Sequence, residues 1–97
     1  MPQFAEDPLA LISLKNIIEK HGLAHLRARK HGDLLIIESG PKQNPVHHLR
    51  MRRVTRQWYA LEIPDHPHWQ RVDIRARAHV VLETVIREFP WLLTPIA

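Results

Sequence analysis

The chain has 97 residues, a net charge of +4 with its histidines neutral, and no cysteine. That length fits a single small domain spanning 1–97 with one core, and the missing cysteines exclude disulfide staples and thiolate metal sites, so a self-association interface is an expected extra source of burial. The first residues, Met-Pro-Gln-Phe-Ala-Glu-Asp-Pro, show no secretory pattern, and no apolar run approaches about 18 residues; a soluble cytoplasmic protein with no membrane partner is expected.

Asp7-Pro8 is a helix start, with Asp7 placed to accept a bond from a first-turn amide and Pro8 at a position that needs no donor. Leu11, Leu14, Ile17, Ile18 and His21 recur at three and four, so the helix runs to about His21, with Gly22 closing it. From His25 the period becomes two: Leu26 and Ala28 alternate with Arg27 and Arg29 up to a turn at His31-Gly32-Asp33, and the strand Leu34–Glu38 returns as the second arm of a hairpin. Its continuous apolar run suits a central strand. Ser39 to Pro45 is a loop, and Val46 to Val54 a third strand.

A turn at Thr55-Arg56-Gln57 leads into a fourth strand, Trp58 to Ile63. Two prolines make Pro64-Asp65-His66-Pro67-His68 an exposed connection. Asp73 then caps a last helix with a stripe of Ile74, Ala78, Val81, Val85 and Phe89, which Pro90 stops. The predicted fold is α+β in the order α-β-β-β-β-α, a four-stranded antiparallel meander with the N- and C-terminal helices packed on one face. The tail Trp91 to Ile96 is too apolar to stay in water and should fold back or form a contact.

Charge is unevenly spread. Between His25 and Arg56 lie eight basic and two acidic side chains, a local charge of +6, whereas the remaining six basic and eight acidic side chains give −2. The positive charge therefore belongs to the sheet. Strand alternation with Leu26, Ala28, Leu49, Met51, Tyr59, Leu61 and Ile63 facing the helices sends Arg27, Arg29, His48, Arg50, Arg52 and Trp58 to the opposite face, together with Ala60 and Glu62. Guanidinium forks bind phosphate and an indole stacks on a base, so these six residues are candidates for contacting nucleic acid or another acidic partner. The plain alternative is a solvated face on which arginine stems and Trp58 cover Leu34 and Ile36. A third reading makes the chain a protein-interaction subunit or homodimer, with Leu34, Ile36, Trp91, Leu92 and Leu93 as its contact surface.

No catalytic residue is assigned, because the sequence has no phosphate loop, nucleophile elbow or dinucleotide fingerprint, and no cofactor is expected. Among the eight histidines, His66 and His68 beside Asp65 form the tightest group, a weak match to the four ligands of a structural zinc site; His47 and His48, adjacent on a strand, point apart. Glu38-Ser39-Gly40-Pro41 before a strand resembles the Gly-Pro loop of the double-stranded RNA-binding domain over about half the chain. The last helix departs from it, with Asp73-Ile74-Arg75-Ala76-Arg77-Ala78 where that family carries lysines, so no family is assigned.

Overall fold

A computed structural model of the chain describes residues 7–95. Helix α1, Pro8–Lys20, starts on Pro8 as its spacing requires and buries Ala10, Leu14, Ile17 and Ile18. The side chain of Asp7 does not cap it; Tyr59 Oη donates to that carboxylate instead, at 3.1 Å. The helix ends one residue before His21, where Gly22 at φ +67° lets the amides of His21, Gly22 and Leu23 return to Ile17, Glu19 and Ile18.

Five strands follow: β1 Arg27–His31, β2 Leu34–Ser39, β3 Val46–Arg53, β4 Tyr59–Asp65 and β5 His68–Ala76, then helix α2, Ala78–Glu88, and a short 3₁₀ turn, Pro90–Leu93. All neighbours are antiparallel and the sheet order is the chain order, an α+β meander. Helices α1 and α2 pack on each other. Their buried residues share one apolar cluster with Leu35 and Ile37 of β2, Leu49 and Met51 of β3, and Tyr59 and Leu61 of β4. These alternate positions define the core face of the sheet. No helix among the described residues is long and apolar enough to cross a membrane.

The fifth strand corrects the four-strand expectation. Pro64 lies inside β4, beyond Glu62, the last position with a β3 partner, where a missing amide costs no ladder bond to that strand; Pro67 sits in the tight β4–β5 turn. Asp73 does not cap α2: it is exposed within β5, and α2 begins at Ala78 after Arg77. Val72, Ile74 and Ala76 pack against the core with a period of two, so Ile74 belongs to the sheet and not to the helical stripe.

Candidate nucleic-acid interface

The residues that alternate with the core face build three rows across the sheet. Arg27, Glu38 and His47 are cross-strand partners in the first; Arg29, Ile36, Arg50, Glu62 and Arg71 in the second; His31, Leu34, Arg52, Ala60 and Arg75 in the third. Neighbours in a row are about 4.8 Å apart and rows about 7 Å apart. Asp73 falls between Arg71 and Arg75, since Val72 and Ile74 turn to the core. The face thus holds six arginines against three carboxylates.

Glu38 and Glu62 are the pivots. They are 2% and 6% exposed, although neither belongs to the core cluster. Glu38 accepts from Arg27 Nε at 3.0 Å and from Arg29 Nε and Nη2 at 3.2 and 3.1 Å, with His47 Nε2 at 3.4 Å. Glu62 accepts from Arg50 Nε at 2.5 Å, Arg52 Nε at 3.0 Å and Arg71 Nη2 at 3.3 Å. Burial alone would raise both carboxyls, but the hydrogen bonds from Arg29 and Arg27, and from Arg50 and Arg52, outweigh it and hold each below its ordinary value. Both are therefore ionised at neutral pH; Glu38 ties two guanidinium groups to one carboxylate and Glu62 ties three.

Ile36 is 6% exposed and Ala60 fully buried, yet both lie outside the core cluster. Their cross-strand neighbours are arginines on both sides, Arg29 and Arg50 for Ile36 and Arg52 and Arg75 for Ala60, and arginine stems supply the cover. Arg50 also stacks on Trp69, its guanidinium carbon 4.2 Å from the ring centroid, and the His47 ring lies 6.2 Å from that indole.

Arg27, Arg29, Arg50 and Arg52 lie where alternation sends them. His48 does not. A bulge sets Ile37 opposite Leu49 and Glu38 opposite His47, so β3 carries one extra residue there, and His48 turns to the core side with Leu49. It is buried between Ser39 Oγ at 2.7 Å and the Leu92 carbonyl at 2.8 Å, 6.2 Å from His25, whose Nε2 contacts the Leu93 carbonyl at 2.7 Å. His47 takes the place on the arginine face. Trp58 precedes β4 and is 49% exposed, while Trp69, absent from the sequence reading, is the indole that the arginine rows engage.

The residues expected to form an apolar contact surface are dispersed. Ile36 and Leu93 are buried, Leu34 and Leu92 half-buried, and Trp91 is 65% exposed, edge-on to Phe89; Ile96, at the end of the expected tail, lies outside the described residues. His66 and His68 are exposed at the β4–β5 turn, and no group of three or more metal-ligating side chains occurs among the described residues. Glu38 escapes the alternation argument, and Glu62, which alternation does place on this face, is given no role by it, although they are the two acids between Asp33 and Asp65, a signal visible in the sequence. No family model, no curated protein and no solved structure matches the chain.

Proposed function

We propose that this chain is a soluble, cytoplasmic, non-catalytic binding module that docks nucleic acid on its arginine face, with both helices gathered on the core face so that no helix covers the arginine rows. One observation carries the reading: guanidinium groups outnumber carboxylates two to one on a single sheet face, and Arg50 and Arg52 are held through Nε, which leaves their terminal N–H donors unspent. Such ordered forks suit the paired oxygens of a phosphate. Arg75, exposed and without an ion pair among the described residues, extends the row.

The test is fluorescence anisotropy with labelled single-stranded and duplex oligonucleotides across a salt series. Affinity should fall steeply with salt, and Arg75→Glu should lower it several-fold and reduce the salt slope by about 1. Arg75 is the right position because Arg50→Glu or Arg52→Glu would strand Glu62 and report on folding instead. Binding that ignores salt, or an Arg75→Glu protein that binds like wild type, refutes the assignment.

The exposure of Trp91 favours a second reading, a homodimer or protein partner. That ring stands at the rim of an apolar cavity of about 170 Å³ lined by Leu61, Ile63, Val72, Phe89 and Leu92. Light scattering would then give a dimer mass that does not respond to salt and that Trp91→Ala reduces to the monomer.

A further inference from the structure

At one end of the arginine face the β2–β3 loop and the β4–β5 turn border a groove of about 340 Å³, lined by His47, His66, His68 and Trp69 together with prolines of both segments and Val46. A volume near the lower end of the roughly 300–1,000 Å³ usual for small-molecule pockets suits one ring with a sugar attached. His47, His66, His68 and Trp69 give it flat aromatic faces.

The polar groups narrow the ligand further. His66 and His68 make no hydrogen bond among the described residues, so their ring nitrogens are available. A neutral imidazole offers one donor and one acceptor, the mixed pattern found along the edge of a nucleobase, whereas an arginine only donates. Simple anion sites call for donors alone. Metal chemistry is not indicated, since three metal-ligating side chains do not converge anywhere among the described residues.

The groove is also continuous with the arginine rows. Arg50 stacks on Trp69, and Arg71 follows two residues later on the same strand and face, about 7 Å away. A phosphate attached to a ring lying against Trp69 would therefore fall among guanidinium groups that carry unspent donors. Base stacking on an aromatic ring tolerates any sequence, because every base has a π-face.

We propose that this groove is a base-binding subsite, taking the heteroaromatic ring of one nucleotide against Trp69 and His47 while its phosphate meets Arg50 and Arg71. The inference rests on the nucleic-acid reading of the arginine face and adds to it the place where a base is gripped.

The experiment is an NMR titration of the full chain with each of the four nucleoside 5′-monophosphates, the matching nucleosides and inorganic phosphate, run beside the oligonucleotide anisotropy. The Trp69 indole is assigned by its loss in Trp69→Phe. Nucleotides and nucleosides should shift the Trp69, His66 and His68 ring signals, and inorganic phosphate should leave them in place. Trp69→Ala should weaken oligonucleotide binding about tenfold, and His68→Ala, an exposed position whose loss leaves the fold intact, should weaken it at least threefold. If wild type and His68→Ala bind the oligonucleotide equally and no nucleotide moves the groove signals at millimolar concentration, the subsite is overturned while the arginine face stands. If nucleotides move those signals but no oligonucleotide binds, the face reading is overturned and the groove stands as a mononucleotide site. Silence in both arms overturns both.

Discussion

Replacing Glu62 by glutamine removes one negative charge from beneath three arginines while keeping the side-chain shape. Its strongest partner is Arg50, whose side chain is 20% exposed and whose Nε approaches to 2.5 Å. A charge-assisted bond in such a sheltered place is worth about 1.5–3 kcal/mol. Arg52 and Arg71 are more than twice as exposed, at 41% and 45%, so screening limits each of those pairs to under about 1 kcal/mol. Glutamine can still accept one bond, but its amide also turns donors toward guanidinium donors. The expected loss is about 2–4 kcal/mol, or a fall in Tm on the order of 10–20 °C for a chain of this length. Urea unfolding followed by circular dichroism would measure it, with Glu83→Gln, an exposed site on α2, as the control that should not change. Glu62→Leu combined with Arg50→Leu should cost less than Glu62→Leu alone, because the half-buried Arg50 guanidinium is then not left without its counter-charge. A Glu62→Gln protein within about 0.5 kcal/mol of wild type would refute the view that this carboxylate organises the face.

Three further outcomes follow from the same contacts. Because the folded protein holds Glu38 and Glu62 below the ordinary 4.5, their contribution to stability is complete above that pH and is lost as pH falls through the lower folded values; urea midpoints should drop below about pH 4.5, less steeply in Glu38→Gln. Tyr59 is pushed up to about 12, first by burial and then by the Asp7 charge. Its phenol therefore supports the fold below pH 10, and that support is lost as pH rises toward 12; since it is the only tyrosine, the phenolate absorbance reports it alone, and titration near 10 in a still-folded protein would contradict both the burial of the ring and the Asp7 contact. His48→Ala should cost about 2–3 kcal/mol by leaving Ser39 and the Leu92 carbonyl unpaired around a cavity, while exposed His47→Ala should cost under about 1 kcal/mol. Equal costs at the two sites would rule out the bulge that separates them.

Where local chemistry decides structure, the sequence was readable: α1, the first hairpin and the outward arginines of β1 and β3 follow from periodicity and turn residues. The failures have physical causes. Ile74, Ala78, Val81 and Val85 fit a helical spacing, but Val72, Ile74 and Ala76 equally fit a strand, and only pairing with β4 selects between the two periods. Two prolines make residues 64–68 read as a connection because a strand interior needs its ladder donors, but β4 has no β3 partner past Glu62, so Pro64 can stay in the strand without costing a bond on that side. The bulge that exchanges His47 and His48 is a property of two strands together and leaves no mark in one. Trp69 escapes the periodicity argument because it falls in the four residues between the expected connection ending at His68 and the expected helix cap at Asp73, a stretch too short to show a period by itself.

The buried glutamates also decide what kind of binding surface the arginines make. An arginine side chain carries about 2 kcal/mol of rotamer entropy, part of which an unbound, unanchored guanidinium would lose on meeting a phosphate. Glu38 and Glu62 restrict that freedom beforehand, at the expense of net charge, so under the proposed reading order and not charge total sets the affinity. The two effects oppose each other in Glu62→Gln, which raises the net charge of the face by one and releases Arg50, Arg52 and Arg71. At low salt the added charge should partly compensate. Near 300 mM salt, where the Debye length shrinks to roughly 6 Å and long-range attraction fades, the variant should bind an oligonucleotide more weakly than wild type and with a steeper salt dependence. Tighter binding by Glu62→Gln across the whole salt range would mean that the carboxylate merely reduces the charge of the face, and that the ordered guanidinium rows have no part in recognition.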